Sequence, residues 1–592
     1  MKQTLPEALL AAARSPTAGL RFLDRHEQAT WLPYREVAAR ALAVGARLVA
    51  AGVAPGERVA LVFSTSPEFI DAFFGCQFAG AVPVPLYPPV RLGRLEEYHA
   101  QTARLLAVSG AVLVLAESRV RRILGQAVAA AAPRLGCLTL GELPASEGGE
   151  PLAVVASDLA LVQFSSGTTV DPKPVALSQR AVMAQVAALD SFWPQSSGIE
   201  QSGVTWLPLY HDMGLIGCVC AAVTHPGTLT LIGPELFVAR PALWLRALSK
   251  YRATISVAPN FAYGLCTAKV RDEELAGVDL SAWRVALNGA EAVAPSVLRA
   301  FCERFGSWGF RREALTPVYG LSEAALAVTF SRLSEPFTAR SFERSRLGEG
   351  IAREEAAGRE LVSVGRPLPG FALRIANAQG NPLPEGRVGD VLVQGPSLMD
   401  GYLGQPEATA AAFHDGWLDT GDRGFVFEGE LFLTGRRKDV LILRGRNHAP
   451  EEVEHAVQDV AGVRAGCAVA VSYLPEGASG EHLVLFVERA RPIGPAGEAR
   501  FDEAGITEAC ERAVLRAANL VVDELHVVAP GTLPRTSSGK LRRGETLRRH
   551  LAGELLPPVP VTAMRLAGAM LRSRLALRRA RRTARKSGGS HE

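Results

Sequence analysis

The sequence has little cysteine and no long apolar run. Its eight cysteines are scattered over 592 residues without zinc-ligand or redox spacing, so neither a disulfide framework nor a cysteine-based metal site is expected. The longest apolar stretch, residues 215–223, ends at Thr224, well short of the roughly 18 residues that a membrane-spanning helix needs. Pro6 and Glu7 interrupt the N-terminal apolar residues before they reach signal-peptide length. We therefore expect a cytoplasmic protein.

The balance of charge differs between the body of the chain and its C-terminal tail. The formal net charge is +4, but residues 561–592 contain nine Lys or Arg and one Glu, or +8, which leaves −4 on the remainder. The body is thus not expected to bind nucleic acid. The tail could form an amphipathic helix with Met564, Leu571 and Leu575 on one side. Such a helix could contact an anionic membrane or an acidic carrier protein, or the tail could be solvated and frayed.

The length exceeds what one hydrophobic core usually supports, so at least two domains are expected. Short apolar runs alternate with helical patterns, which predicts layered α/β structure with buried strands. The predicted strands fall at 158–164, 203–209, 253–259 and 283–289, and the predicted helices at 179–193 and 241–250.

The pattern changes toward the C-terminus. From about residue 370, β-rich segments separated by turn residues predict a smaller β subdomain. A helix at 450–459 and strands at 466–472 and 481–487 predict a small α+β domain. Residues 331–360 lack periodicity and are interpreted as a surface insertion or loop. The expected division is therefore a large domain at 1–438, a small domain at 439–555 and the basic tail at 556–592.

A Ser/Gly/Thr loop is the strongest single signal. An apolar strand runs into Ser165, Ser166, Gly167, Thr168 and Thr169, followed by Lys173 and then a helix with Ser178 as its N-cap. Glycine permits close backbone approach, while hydroxyls, N–H groups and the lysine suit a polyphosphate. The alternative is an ordinary Ser/Thr-rich turn.

A second motif, residues 318–328, lies at the end of a predicted strand. Tyr319 could stack on a base, Ser322 could bind phosphate, and Glu323 could hold Mg²⁺ through its hard oxygen atoms. Alternatively, the glutamate simply faces solvent at a strand end. In a third motif, residues 418–425, Asp422 could accept hydrogen bonds from a ribose diol or could be a turn aspartate.

Three further motifs are weak when taken singly. His211 lies in an apolar segment, where a lone histidine is usually structural. The basic cluster at 436–438 lies near the expected domain boundary, where a solvated hinge is the usual explanation. Residues 536–540 end in Lys540 but do not form a Walker A sequence, because Pro534 occupies the first glycine position and Leu541 replaces the Ser or Thr.

In order and spacing, these six motifs resemble the adenylate-forming superfamily of acyl-CoA synthetases, nonribosomal adenylation domains and luciferases. The resemblance spans about residues 28–550 and implies a large N-terminal domain followed by a small mobile one. It also implies that ATP and Mg²⁺ are used. The implied roles are Lys540 as the catalytic lysine, Glu323 as the Mg²⁺ ligand, Lys438 as the hinge and His211 beside the acyl tunnel. The implied nucleotide contacts are the phosphate loop with Lys173; Gly289, Ala290, Glu291 and Tyr319 for adenine; Gly320, Leu321 and Ser322 in the same motif; and Asp422 with Arg436 for ribose.

Within that superfamily the chain is similar to fatty acyl-AMP ligases. The similarity rests on residues 87–89 (Tyr-Pro-Pro), the segment around His211, Asn447 with His448, and the insertion at 331–360. It implies a monomer that activates a fatty acid and passes it to an acyl carrier protein or to a carrier domain of a polyketide or nonribosomal synthetase. Pro174 and Ala449 depart from residues common in the family.

Two alternatives remain at this point. An acyl-CoA synthetase would share every adenylation motif and differ only in using coenzyme A as the thiol acceptor. A catalytically silent nucleotide-binding or scaffold homologue would share the fold, although the joint presence of Glu323, Asp422 and Lys540 disfavours it.

Overall fold

The computed structural model of the chain describes residues 2–89, 92–146, 148–165, 172–192, 201–443, 446–475, 481–490, 502–536 and 539–587. In these residues the helices are α1 Leu5–Ala12, α2 Tyr34–Ala50, α3 Pro67–Phe78, α4 Leu95–Ser109, α5 Ser118–Ala131, α6 Gln179–Phe192, α7 Asp212–Gly214, α8 Ala221–Thr224, α9 Pro234–Ala239, α10 Ala242–Lys250, α11 Asn260–Lys269, α12 Pro295–Phe305, α13 Arg344–Gly348, α14 Pro406–Ala412, α15 Pro450–Ala456, α16 Glu503–Ala518, α17 Arg543–Leu551 and α18 Ala563–Ser587.

The strands are β1 Gly19–Leu23, β2 Ala29–Pro33, β3 Arg58–Val62, β4 Val82–Leu86, β5 Leu113–Ala116, β6 Cys137–Leu138, β7 Leu159–Phe164, β8 Pro174–Ser178, β9 Ser202–Thr205, β10 Thr228–Ile232, β11 Ile255–Ala258, β12 Val285–Asn288, β13 Leu315–Gly320, β14 Ala327–Phe330, β15 Ala339–Phe342, β16 Arg359–Val362, β17 Arg366–Pro367, β18 Ala372–Ala376, β19 Gly389–Gln394, β20 Gly401–Tyr402, β21 Phe413–His414, β22 Trp417–Phe427, β23 Glu430–Arg436, β24 Leu441–Leu443, β25 Arg446–His448, β26 Val463–Tyr473, β27 His482–Arg489 and β28 Glu524–Val528.

A nine-stranded sheet and a four-stranded sheet form the large α/β body. The first has the order β17-β14-β13-β12-β11-β9-β10-β1-β2, and its central pairs, from β13 to β1, are parallel. The second, β4-β3-β5-β6, is wholly parallel. Strands such as β4 and β5 are buried along their full length, as expected when helices cover both faces of a parallel sheet. The predicted α/β fold class is confirmed.

A cluster of aromatic side chains fixes the helices beside the nine-stranded sheet. Trp244 and Trp283 are almost fully buried and meet edge to face with ring centroids 5.2 Å apart. The Trp244 indole N–H donates to Ser256 Oγ at 2.9 Å, which satisfies the one polar atom that the burial of this ring removes from water. This packing also holds β12 and β13 in place, and these strands end at Asn288, just before Gly289, and at Gly320.

Two smaller units follow the body. Strands β18-β19-β22-β21, with β23 paired to β22, form the antiparallel β subdomain. After residue 439, β26-β27-β28 form a sheet against which α15 and α16 pack around a separate apolar cluster. Among the described residues, no helix has the length and apolar character required to cross a bilayer. The division of the chain at 438 and 555 stays a prediction.

Two local expectations were wrong. The insertion at 331–360 is not an irregular loop, because β15 pairs with β16 across it and α13 lies between them. The phosphate loop does not lead directly into a helix, because β8 intervenes and pairs antiparallel with β7. Short strands with mixed composition carry too little periodicity to be found from sequence. Ser178 does cap α6, since its Oγ accepts the Ala181 N–H at 3.3 Å.

Candidate active site

Two glycines at the carboxyl ends of β12 and β13 let the chain segments approach one another closely. A Cβ on Gly289 would lie 2.7 Å from Val318 Cγ2, and one on Gly320 would lie 1.8 Å from the Leu326 carbonyl oxygen. No larger residue fits at either position without displacing backbone. The predicted adenine-site residue Gly289 and the predicted nucleotide-motif residue Gly320 thus lie at one edge of the parallel sheet, where ligands of α/β proteins commonly bind.

Asp422 lies between two predicted partners. Tyr319 Oη donates to Asp422 Oδ2 at 2.7 Å, and Arg436 Nε donates to Oδ1 at 3.1 Å. The strand register positions the pair, since Asp422 of β22 lies opposite Arg436 of β23. Burial and the Asp422 charge raise the pKa of Tyr319 well above its usual range, so its hydroxyl stays protonated and donating. The structure therefore joins the predicted adenine residue Tyr319 and the predicted ribose residues Asp422 and Arg436 into one hydrogen-bonded network.

Glu323 is held by a tyrosine that the sequence analysis missed. Tyr402 Oη donates to Glu323 Oε1 at 2.9 Å, and Lys173 Nζ lies 4.3 Å from the centroid of the Tyr402 ring. Burial raises the pKa of Glu323, while the Tyr402 hydrogen bond and the charges of Arg436 and Lys173 oppose that rise. Tyr402 is the last residue of β20, which carries no recognisable sequence motif. No pattern in the sequence therefore indicated its role.

A second missed residue is Asp212, beside the predicted His211. His211 Nδ1 lies 2.6 Å from Asp212 Oδ1, and Ser322 Oγ donates to Asp212 Oδ2. Burial alone would raise the pKa of Asp212, but His211, the Ser322 hydrogen bond and the Lys540 charge together lower it to about 2. Asp212 therefore stays ionised and links the histidine to the 318–328 motif. Its only signal in the sequence was its position next to His211.

Lys540 is partly buried among charges contributed by the large domain. Burial and the nearby Arg436 lower the pKa of its ammonium group, whereas Asp212, Glu291 and Asp422 act to raise it. Glu291 in turn accepts the Phe261 N–H at 2.6 Å, which fixes its carboxylate. Lys540 follows the small domain's sheet in sequence, yet it lies with residues more than 100 positions earlier in the chain.

A tight turn presents Lys540. The Thr536 N–H donates to the Lys540 carbonyl at 2.8 Å, and the Lys540 N–H returns to Thr536 Oγ1 at 3.1 Å. Gly539 has a φ of +92°, a conformation that favours glycine. These hydrogen bonds between Thr536 and Lys540 are those of a turn, as the sequence suggested. The Lys540 side chain, however, lies among the charged residues of the site and is not solvated at the surface.

The base of the phosphate loop is closed by two hydrogen bonds. The Ser165 N–H donates to the Lys173 carbonyl at 2.9 Å, and the Lys173 N–H donates to Ser165 Oγ at 3.1 Å. Ser166, Gly167, Thr168 and Thr169 lie outside the described residues. Their predicted phosphate contacts therefore stay predictions. Ser165 and Lys173 form the base of the loop, and the Lys173 ammonium group lies beside the Tyr402 ring.

The predicted hinge residue lies between two anchored neighbours. Arg437 pairs with Asp390 at 2.8 Å and with Asp419 at 2.6 Å, both in the β subdomain. Asp439 instead accepts a hydrogen bond from Arg543 of α17 at 2.9 Å. Lys438 itself is exposed. The two neighbours of Lys438 are thus each bound to a different unit, and the hinge role of Lys438 stays a prediction.

Comparison with known proteins gives consistent matches. The AMP-binding enzyme family matches residues 11–403. A Caulobacter vibrioides protein named as an acyl-CoA synthetase is 34% identical over 93% of this chain and 96% of its own length. The Mycobacterium marinum long-chain-fatty-acid–AMP ligase FadD26 is 34% identical over 89% and 93%. The Moorena producens medium-chain-fatty-acid–[acyl-carrier-protein] ligase JamA is 31% identical over 88% and 90%.

A solved structure extends the match to three dimensions. It comes from a study of fatty acyl-adenylate ligases from E. coli and L. pneumophila, and its sequence is 34% identical to this chain. The two superpose with a TM-score of 0.85, covering 93% of this chain and 98% of that one. The arrangement of the large and small units is therefore shared.

Proposed function

The chain belongs to the AMP-binding enzyme family, and on that premise we propose that it activates a fatty acid as its acyl adenylate and transfers the acyl group to a carrier protein. A fatty carboxylate oxygen attacks the α-phosphorus of ATP. The bond from that phosphorus to the bridging oxygen breaks, and pyrophosphate leaves with the electron pair. The product is a fatty acyl-AMP, a mixed anhydride. The reaction joins two anions, so it needs cations where negative charge accumulates.

The observation that carries this proposal is the position of Lys540. The small domain places its ammonium group among Asp212, Glu291 and Asp422 of the large domain. Their negative charges favour the protonated, cationic form of Lys540. Once ATP and the fatty acid bind, Lys540 is the group available to neutralise the carboxylate and the α-phosphate. One preorganised donor of this kind typically contributes a factor of about 10² to 10³ in rate.

The remaining roles follow from position and chemistry. We propose that the adenine lies along Gly289, Ala290, Glu291 and Tyr319, and that the ribose lies at Asp422 and Arg436. Lys173 and the loop hydroxyls at 165–169 would receive the departing phosphates. Gly320, Leu321 and Ser322 complete the nucleotide motif, and His211 borders the fatty carboxylate.

Mg²⁺ fits the carboxylate of Glu323, because hard oxygen ligands suit this ion and Tyr402 fixes the carboxylate's orientation. When bound, the ion would neutralise charge on the phosphates. The protein's own contribution is to hold Glu323 beside Lys173, so that both act on the same phosphate groups.

For the acceptor, we propose the thiol of a phosphopantetheine arm carried by an acyl carrier protein or by a polyketide or nonribosomal synthetase. The sulfur attacks the acyl carbon, the bond to the AMP oxygen breaks, and the thiol proton is released. JamA is named for transfer of this kind. Rotation at Lys438 would remove Lys540 and admit the thiol.

The insertion at 331–360 supports a carrier over coenzyme A through its resemblance to the insertion that separates fatty acyl-AMP ligases from coenzyme A users, and in this chain it contacts the small domain. Its Arg344 pairs with Glu452 of α15 at 2.5 Å, and Gly348 lies against Asn447, where an added Cβ would be 3.4 Å from the carbonyl oxygen. The insertion therefore contacts the small domain just beyond the hinge. A contact there can influence the position the small domain adopts for the second half-reaction.

The test incubates purified enzyme with ATP, Mg²⁺ and labelled fatty acid, with and without coenzyme A. We expect fatty acyl-AMP to accumulate and coenzyme A to leave it undischarged, while a phosphopantetheinylated carrier removes it. Prompt formation of acyl-CoA would instead identify an acyl-CoA synthetase, the name borne by the Caulobacter relative.

We further propose that the protein is a cytoplasmic monomer and that its basic tail makes a peripheral contact away from this site.

A further inference from the structure

The tail helix α18 is attached to the body through one of its faces. The Gly125 N–H of α5 donates to Ser573 Oγ at 2.7 Å, and an added Cβ on Gly125 would lie 2.1 Å from the Ser573 carbonyl oxygen. Ser573 and Ala569 are buried by this contact. The helix backbones therefore touch, and α18 has a fixed orientation on the large domain.

The opposite face is apolar and uncovered. Met564, Leu571 and Leu575 are 85%, 59% and 45% exposed. At about 100° per residue they lie within about 40° of one another around the helix and roughly opposite Ser573. This confirms the predicted amphipathic helix and shows that its apolar stripe points away from the protein.

The exposed apolar residues are concentrated in this region. Of nineteen large apolar side chains exposed among the described residues, seven lie between Leu551 and Leu575. The four outside α18 precede it: Leu551 is the last residue of α17, and Leu556, Val559 and Val561 lie in the connecting segment. An apolar surface of this kind on a soluble protein typically marks an interaction site.

Arginines border the apolar stripe on both sides. Arg574 and Arg578 lie on one side of it and Arg565, Arg572 and Arg579 on the other, and all five are exposed. The sequence contains no acidic residue from 555 to 591. An apolar stripe between cationic margins is the pattern of helices that lie in the plane of a membrane, with the arginines at the headgroups.

We propose that α18, fixed to the large domain, is a peripheral binding site for an anionic lipid surface. We choose a lipid surface as the partner because the α18 stripe is apolar, is bordered by arginines and has no acidic residue beside it in the sequence. An acidic carrier protein would pair with the arginines but would leave the apolar stripe between them without a partner, whereas an anionic bilayer accommodates both. The inference depends on the surface alone and not on the proposed reaction.

The test uses the full-length protein and sedimentation with vesicles. We expect binding to phosphatidylcholine vesicles containing phosphatidylglycerol, weak binding to pure phosphatidylcholine, and loss of binding as NaCl rises from 0.1 to 1 M, because salt screens surface charge over shorter distances. An arginine near such a membrane contributes about 1 kcal/mol, or roughly fivefold. The double variant Arg574→Glu with Arg578→Glu should therefore bind at least about 25-fold less.

Matched variants separate the surface from general effects. Leu571→Asp with Leu575→Asp should abolish binding, whereas Leu515→Asp with Val521→Asp, at similarly exposed positions on the small domain, should not. Gly125→Val should release the helix and alter vesicle affinity without changing the tail. Equal binding to both vesicle types, or undiminished binding by the arginine variant, would overturn the proposal. So would a tail-dependent complex with an acidic carrier protein in the absence of any vesicle binding.

Pyrophosphate exchange is measured on every variant. Unchanged exchange shows that the proteins are folded, and it keeps a failure of lipid binding distinct from a failure of the proposed reaction.

Discussion

The large domain and the small domain contribute to one site in different ways. The large-domain residues are held by hydrogen bonds between strands, as Tyr319 and Arg436 hold Asp422. The small domain contributes Lys540, whose N–H is bonded to Thr536, beyond the proposed hinge residue Lys438. If the chain rotates at Lys438, as we propose, the large domain is a fixed half that suits nucleotide binding, which both half-reactions share. The small domain is then a movable half, which suits a charge that only the first reaction needs.

The largest effect is expected from the movable half. Lys540→Ala should lower pyrophosphate exchange about 10² to 10³-fold, as expected for loss of one preorganised electrostatic donor. Lys250→Ala, at an exposed position on α10, is the matched control and should be unchanged. Near-normal exchange by the Lys540 variant would mean that another group supplies the charge.

In the fixed half, Asp212→Asn tests stability. The pKa of Asp212 is lowered from 3.8 to about 2. Its ionised form therefore stabilises the fold at pH values above the ordinary pKa of 3.8, and that contribution is lost as the pH falls through about 2. We expect the variant to lose about 2 kcal/mol of unfolding free energy at pH 7.

In urea denaturation, this deficit should shrink between pH 4 and pH 2. Asp459→Asn, at an exposed position, should match the parent protein throughout. A deficit for Asp212→Asn that is independent of pH would show that packing, and not charge, is what the carboxylate contributes.

Restricting the hinge should affect only the second half-reaction. Lys438→Pro fixes φ at the hinge residue and restricts Arg437 before it. Transfer of the acyl group to a carrier should slow about tenfold or more, while pyrophosphate exchange stays within about twofold of the parent. If both activities fell together, the substitution would have displaced Lys540 and not the rotation.

The smallest effect is expected at Tyr402. Tyr402→Phe removes the hydrogen bond to Glu323 but keeps the ring beside Lys173. A hydrogen bond to a charged group contributes about 1.5 to 3 kcal/mol. Because a bound Mg²⁺ would also orient the Glu323 carboxylate, we expect only part of that contribution to be lost and adenylation to fall about two- to tenfold. The Mg²⁺ concentration needed for half-maximal rate should rise. Tyr473→Phe, which removes a hydrogen bond to Glu524 in the small domain, is the control.

The sequence was sufficient for the fold class and for the order of the motifs, because buried parallel strands and glycine-dependent turns leave local patterns. It was not sufficient for Asp212 and Tyr402, whose partners Ser322 and Glu323 are 110 and 79 residues away. The docking of α18 through Gly125 was equally invisible, since a glycine within a helix carries no indication of what approaches it.

The most direct measurement bypasses the first half-reaction. Synthetic fatty acyl-AMP and a phosphopantetheinylated carrier are supplied to the parent protein and to Lys540→Ala, and acyl transfer is followed. If Lys540 belongs to a half that leaves the site after adenylation, the two proteins should transfer the acyl group at rates within about twofold. A loss of transfer as large as the loss of adenylation would show that the lysine serves both steps, and would contradict the division into fixed and movable halves.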